Sequence, residues 1–172
     1  LALNVVIVLA VCYPPLFASK GYTMGDAGWF LALGGVSGLV GKSCLAWLGD
    51  GVRHYVKWLA AAMLFLQSAG LGLLFIASDT SQMIPAMCLL GFSGGACIPM
   101  HPYLNSRYFD ASIISQVTGA QMPLFLPFGL VGAPLAGYAF DQTGNYNAVL
   151  MALAATLCLA ALLALGLPKQ AN

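Results

Sequence analysis

Charged side chains are scarce in this sequence, and glutamate is absent altogether. The 172 residues include six Lys and Arg and five Asp, so that 6% of the chain is charged. An average soluble domain carries about a quarter charged residues. This scarcity excludes a water-exposed enzyme and a disordered chain, and the net charge of +1 provides no attraction for a phosphate backbone, which excludes a nucleic-acid partner.

Cysteine spacings typical of disulfide frameworks and metal sites are also missing. The five cysteines lie inside apolar runs, without a CxxC pair and without histidine at zinc-ligand spacing. They are Cys12, Cys44, Cys88, Cys97 and Cys158. We interpret them as small packing residues and expect neither a metal nor another cofactor.

The chain begins with Leu1 inside an apolar run, without the basic segment or the small-residue cleavage site of a secretory signal peptide. We therefore expect further sequence upstream of it.

Long hydrophobic runs are what the sequence has in abundance. Hydrophobic residues make up 60% of the chain, and the mean hydropathy is +0.89. A helix needs roughly 20 apolar residues to cross a bilayer. Six stretches qualify, at 1–19, 27–48, 56–77, 83–104, 113–140 and 148–167. The sequence therefore predicts an all-α integral membrane protein with six transmembrane helices, of which the proline-rich fifth should kink or tilt.

Basic residues in the connectors predict the orientation. Arg53 lies in the second connector and Lys57 at its border with the third span, Arg107 lies in the fourth connector and Lys169 in the C-terminal tail, whereas the alternate connectors contribute only Lys20. Basic residues favour the cytoplasmic side. We expect a multi-pass protein of the plasma (inner) membrane with a cytoplasmic C-terminus.

A short pattern occurs twice, at 46–55 and at 137–146. Both copies read small-x-x-x-Asp-x-x-x-x-Tyr, and each ends the middle span of a three-span unit. Because three is an odd number, two such units in tandem must lie inverted in the membrane. The pattern predicts two inverted three-helix repeats, which is typical of secondary transporters.

The segment 41–50 resembles the region before the cytoplasmic loop motif of the major facilitator superfamily. In that motif a Gly is followed four residues later by Asp and then by basic residues. Here Ala46 replaces the Gly, Asp50 matches, and Gly51 stands where an Arg is usual. The resemblance implies that Asp50 forms a gate latch with Arg53 or Lys57, whereas ordinary solvation of the loop is the alternative.

The segment 132–146 resembles the junction of the last two helices in monocarboxylate-transporter-like members of the superfamily, and the Gly-rich stretch 90–95 before Pro99 fits the same alignment. The resemblance covers essentially the whole chain. It implies the C-terminal six helices of a twelve-helix transporter, whose N-terminal half would be missing here. It also implies alternating access and a small organic monoanion, such as a monocarboxylate, as the substrate.

Lys42 is the only charge away from the ends of the predicted spans, because Lys57 lies at the very start of the third one. A lysine near the bilayer centre costs about 2.5–3.5 kcal/mol, so it needs a partner or a purpose. Small residues share its helix face, which favours an interior position over the lipid side. They are Gly28, Gly35, Gly38, Ala46 and Gly49. The resemblance implies a substrate carboxylate at Lys42, and it places an acid one turn earlier, where this sequence has Gly38; snorkelling towards the surface is the alternative.

Four other side chains are candidates for substrate contact: His101, Gln121, Tyr13 and Phe125. His101 lies between Pro99 and Pro102, where the alternative is an interfacial histidine capping a proline-broken helix. Gln121 shares a helix face with Phe125, and its alternative is a hydrogen bond between helices. For Gln67 and Asn4 the alternatives are also substrate contact and a hydrogen bond between helices. The pairs Gly34–Gly38 and Gly91–Gly95 indicate tight helix packing.

Two other functions compete with transport. The segment 91–94 matches the GxSG pattern of intramembrane serine proteases, but 148–167 lacks the histidine that would activate Ser93, so we expect no enzyme activity. A non-transporting membrane scaffold, or a half-transporter that pairs with a partner or with a second copy of itself, is the remaining alternative.

Overall fold

A computed structural model describes residues 2–48, 51 and 55–168, apart from the side chains of 2, 3, 125, 128 and 129. This part of the chain is helical, without β-strands. The first four helices are α1 (Ala2–Ser19), α2 (Met24–Leu48), α3 (Val56–Ile76) and α4 (Thr80–Tyr108). They are followed by α5 (Ile114–Gln121), a 3₁₀ turn (Met122–Phe125), α6 (Leu126–Thr143) and α7 (Asn147–Leu165).

Four of these helices are long and apolar enough to cross a membrane, namely α2, α3, α4 and α7. This finding confirms an all-α membrane protein. The first apolar stretch is a shorter helix by the same measure, and the fifth is divided. Six spans in two inverted repeats therefore stay a prediction.

The fifth predicted span is interrupted at its prolines. A 3₁₀ turn with Pro123 near its start separates α5 from α6, and Pro127 and Pro134 lie in α6. Proline has no N–H to donate to the preceding turn, so a local change of helix type is expected where prolines cluster. The irregularity predicted for this stretch thus takes the form of a 3₁₀ turn.

Helix α4 is longer and more regular than the sequence predicted. It runs without a break through Pro99 and Pro102 to Tyr108. The expectation of a proline-broken helix capped by His101 is therefore wrong. Neighbouring helices and local adjustments can satisfy the carbonyls that proline leaves without a donor, which is why membrane helices tolerate proline.

The helices pack around a core between α1, α2, α3, α4 and α7. Its fully buried side chains include Phe17, Phe30, Leu71, Met83 and Leu157. Many large apolar side chains instead point outward, among them Trp47 at 86% and Leu130 at 70% exposure. Such a surface fits a lipid environment, because soluble proteins rarely expose so much contiguous apolar area.

Hydrogen bonds from lysine and tyrosine side chains join the connectors at each of the two ends of the helix bundle. At one end, the Lys20 Nζ atom donates to the Ala77 carbonyl oxygen at 2.7 Å, which joins the first and third connectors. At the other end, the Lys57 Nζ atom lies 3.3 Å from the Leu167 carbonyl oxygen, and the Tyr108 hydroxyl donates to the Pro168 carbonyl oxygen at 3.1 Å. The start of α3 and the end of α4 therefore lie beside the C-terminal end of α7.

Candidate functional site

A cavity of about 450 Å³ opens between α1, α2, α3 and α4. Its volume lies within the range of small-molecule sites. Sixteen residues line it: Val6, Leu9, Ala10, Tyr13, Leu31, Gly34, Gly35, Gly38, Lys42, Gln67, Met87, Leu90, Gly91, Gly94, Gly95 and Ile98. Most of the wall thus consists of apolar side chains and of glycine backbone, and three polar residues, Tyr13, Lys42 and Gln67, complete it.

Glycines hold α2 and α4 close together at this cavity. A Cβ atom on Gly91 would collide with the Gly34 carbonyl oxygen, and one on Gly95 would collide with the Gly38 carbonyl oxygen. Both contacts advance by four residues along each helix, so the two helices run parallel. This geometry confirms the tight packing that the two small-residue pairs predicted.

Lys42 follows this packed region on α2, one turn after Gly38. Its side chain lines the cavity and is exposed in this chain. Among the described residues that line the cavity, it is the only one with a charge. Of the small residues predicted to share a helix face with Lys42, Gly35 and Gly38 also line the cavity. Gly28 and Ala46 are exposed, and Gly49 lies outside the described residues.

Tyr13 is the second polar residue of the wall. It comes from α1 and its ring stacks on Phe17, with the ring centroids 5.7 Å apart and the planes 6° from parallel. Because Phe17 is fully buried, this stacking fixes the direction of the phenol. The structure therefore brings Tyr13 and Lys42, two of the five predicted contact residues, to one cavity.

Gln67 is the third polar residue of the wall, contributed by α3. Its side chain is 1% exposed, and its Oε1 atom has no hydrogen-bond partner among the described residues. From the sequence, Gln67 could be described only as an amide in an apolar span, with a hydrogen bond between helices or a substrate contact as its possible roles. Nothing in the sequence shows that its oxygen lacks a partner, because this depends on which helices surround it.

The other predicted contact residues lie elsewhere. His101 is half-buried farther along α4 and is not among the described residues that line the cavity. The Gln121 Oε1 atom accepts from the Asn105 Nδ2 atom at 2.9 Å, a contact between α5 and α4. Sequence reasoning missed Asn105 as this partner, although it is a buried amide. The side chain of Phe125 lies outside the described part of the chain.

The predicted gate latch is only partly visible. Asp50 and Arg53 lie outside the described residues, so their contacts stay a prediction. Lys57 donates to the carbonyl oxygens of Leu165 and Leu167, at 3.4 and 3.3 Å. A cation at the C-terminal end of a helix stabilises it by complementing the helix dipole. In this structure Lys57 thus caps α7.

Ser93, the serine of the GxSG pattern, is fully buried in α4. Its Oγ atom donates to the Leu89 carbonyl oxygen of the same helix at 2.7 Å. Hydroxyl-to-backbone bonds of this kind are ordinary in membrane helices.

Comparison with known proteins gives relatives of one kind. Monocarboxylate transporter 13 of Rattus norvegicus and that of Bos taurus are each 30% identical to the chain over 128 residues, which are 74% of this chain and 30% of the relative. Monocarboxylate transporter 12 of Xenopus laevis is 25% identical over 162 residues, which are 92% of this chain and 35% of the relative. The chain is monocarboxylate-transporter-like.

No family model matches this monocarboxylate-transporter-like chain, and no solved structure does. The chain spans about a third of the length of the curated relatives it matches. The apolar helices and the similarity to these relatives together support an integral membrane protein. They also confirm the resemblance stated from 41–50 and 132–146.

Proposed function

We propose that the chain forms the C-terminal six-helix half of a secondary transporter, which carries a small organic monoanion such as a monocarboxylate by alternating access. The observation that carries the proposal is Lys42, a single cation in the wall of a cavity of about 450 Å³ between α1, α2, α3 and α4. Apolar side chains and bare helix backbone make up most of the remaining wall.

A lone ammonium group in such a wall favours one carboxylate. The interaction between opposite charges strengthens as the local dielectric constant falls, so an anion that enters the cavity is attracted more strongly than at the protein surface. Lysine offers a point charge and not the two-pronged geometry of arginine. One cation therefore matches a monoanion better than a dicarboxylate. Tyr13, whose ring stacks on Phe17, is a further polar residue of the same wall.

A second set of helices completes the site in this proposal. Lys42 is exposed in the chain, and transporters built from inverted repeats bind substrate between two halves near the bilayer midplane. The relatives are about three times as long as the matched region, which leaves room for such a half. The two halves would rock around the cavity in alternating access. The protein would lie in the plasma (inner) membrane, with the C-terminus of this chain in the cytoplasm.

Uptake measurements on the full-length protein in proteoliposomes test the role of Lys42. We expect Lys42→Met, which keeps the length of the side chain but removes its charge, to lower the uptake of labelled lactate or pyruvate by about tenfold or more. Lys42→Arg retains the charge and should keep part of the activity. Lys20→Met removes a lysine from a connector and serves as the matched control.

The result that would contradict the proposal is equally direct. Undiminished uptake by a correctly inserted Lys42→Met protein would remove Lys42 from the mechanism. Uptake of dicarboxylates at the same rate as monocarboxylates by the wild type would contradict the assignment of a monoanion.

A further inference from the structure

Gly35 leaves an open space in the wall of the cavity. It lines the cavity from α2 and is exposed in this chain. A Cβ atom on Gly35 would have no neighbouring atom of the described residues within 4 Å, whereas one on Gly38 would come 3.1 Å from the Gly91 carbonyl oxygen. The close packing of α2 against α4 therefore requires a small residue at 38 but not at 35. The effect of glycine at 35 is instead to widen the cavity.

Gly35 and Lys42 lie on the same face of α2. They are separated by nearly two full turns, so their Cα atoms lie about 10 Å apart along the helix axis. Side chains of a helix lean towards its N-terminus, which directs the stem of Lys42 towards the Gly35 end of the cavity. The space beside Gly35 is therefore within reach of the body of an anion whose carboxylate is bound by Lys42.

The size and the polarity of the cavity favour a larger anion than a three-carbon acid. A volume of about 450 Å³ lies in the range of sites that bury drug-sized molecules. Leu31 lines the cavity one turn before Gly35, and Leu9 of α1 and Ile98 of α4 line it as well. An apolar substituent gains free energy in proportion to the area that it moves from water to such a wall.

We infer that Gly35 determines the size of the transported anion, and that the cavity takes a monocarboxylate with a bulky apolar substituent such as an aromatic ring. This inference rests on the proposed function, in which Lys42 binds the carboxylate. The substituent occupies the space that glycine leaves at 35. A larger side chain at this position fills that space without separating α2 from α4, so it excludes bulky anions and admits small ones.

Pyruvate and phenylpyruvate form a matched pair of substrates, because they differ by one phenyl ring. In proteoliposomes that contain the full-length protein, we expect the wild type to take up phenylpyruvate with a kcat/KM at least about tenfold above that of pyruvate. Protein-free liposomes give the passive uptake of each acid, which is subtracted.

Leucine at 35 tests the role of the glycine. We expect Gly35→Leu to lower the kcat/KM of phenylpyruvate by about tenfold or more, chiefly through a higher KM, and to leave that of pyruvate within about twofold. Gly35→Ala should have an intermediate effect. Gly72→Leu is the matched control on α3, because a Cβ atom there also has no neighbour within 4 Å and Gly72 is not among the described residues that line the cavity. Leucine has a higher helix propensity than glycine, so neither variant weakens its helix.

The outcomes separate the two proposals. A wild type that carries pyruvate as well as or better than phenylpyruvate overturns this inference while transport itself stands. A Gly35→Leu variant that loses both substrates equally, or neither, overturns the role of Gly35. A wild type that carries neither anion, with Lys42→Met behaving identically, overturns the proposed function and this inference together. If Gly35→Leu fails to fold, the wild-type preference and the Gly35→Ala variant still decide the matter. A stabilisation of the wild type against thermal unfolding that is larger with phenylpyruvate than with pyruvate, and is lost in Gly35→Leu, supports the inference independently of transport.

Discussion

Asp79 sets the start of α4 through its side chain. Its Oδ1 atom accepts from the Ser81 hydroxyl at 2.6 Å and from the Gln82 backbone N–H at 3.0 Å. These two hydrogen bonds, the one from Ser81 first, hold the pKa of the Asp79 carboxyl below its ordinary value of 3.8. Because the bonds favour the ionised form, the cap stabilises the helix most when Asp79 is deprotonated.

Replacement of Asp79 should therefore have a pH-dependent effect. A carboxyl with a lowered pKa contributes stability above its ordinary pKa, and that contribution is lost as the pH falls through the lowered value. We expect Asp79→Ala to reduce the thermal midpoint in detergent by about 2–4 °C at pH 7, and the gap to the wild type to narrow below pH 4. Asp79→Asn, which keeps the capping oxygen, should stay near the wild type at pH 7. An equal loss for Ala and Asn would contradict a capping role.

Individual residues differ in how far the sequence could predict their roles. Lys42 could be recognised as a functional candidate from the sequence, because a single charge in an apolar span has few explanations. Gln67 could not be recognised in this way, since an amide in a helix is most often hydrogen-bonded to a neighbour. Only the packing of the helices shows that the oxygen of Gln67 has no partner among the described residues. Gln121 presented the same sequence pattern but is paired with Asn105. The difference between the two glutamines depends on long-range contacts, which a helix pattern does not contain.

The contact between α2 and α4 is the element-scale feature that positions the cavity. Its backbones approach so closely that Cβ atoms on Gly91 and Gly95 would collide with carbonyl oxygens of α2. Backbone atoms cannot rotate away as a side chain can. Any enlargement at these positions must therefore separate the two helices and reshape the wall that carries Lys42.

Alanine at Gly95 tests this contact. We expect Gly95→Ala to destabilise the protein by about 1–3 kcal/mol, the usual cost of overpacking, in unfolding titrations with a denaturing detergent. Gly28→Ala is the matched control on α2, because a Cβ atom there would have no atom within 4 Å. Alanine also has the higher helix propensity, so Gly28→Ala should be neutral or slightly stabilising. Equal stability of both variants would show that the close approach is not required.

The boundaries of the elements were predictable to within a few residues where apolar runs end at turn residues. The third span, expected at 56–77, is α3 at Val56–Ile76. The predictions were least accurate at prolines, because the effect of a proline on helix geometry depends on the residues that surround it. Pro99 and Pro102 leave α4 intact, whereas a 3₁₀ turn follows α5 at Pro123. A sequence shows where backbone donors are missing, but not which neighbouring groups replace them.

At the scale of the whole molecule, the contacts between connectors agree with alternating helix directions. Lys20 and Ala77 meet at one end, and Lys57 meets the C-terminal end of α7 at the other. Helices α2 and α4, which the six-span prediction orients alike, pack in parallel. Which end of the bundle faces the cytoplasm stays a prediction, which rests on the preference of lysine and arginine for the cytoplasmic side.

Cysteine labelling in intact cells tests this topology. In a background whose five cysteines are replaced by alanine, we expect Ser78→Cys and Gln142→Cys to react with a membrane-impermeant maleimide from outside. Gly51→Cys and Ala111→Cys should react only after the cells are opened, because the six-span prediction places them in the cytoplasm. Gly144 is unsuitable as a labelling site, since its φ of +71° would strain any other residue. Labelling of Gly51→Cys and Gln142→Cys from the same side would contradict both the inverted repeats and the orientation.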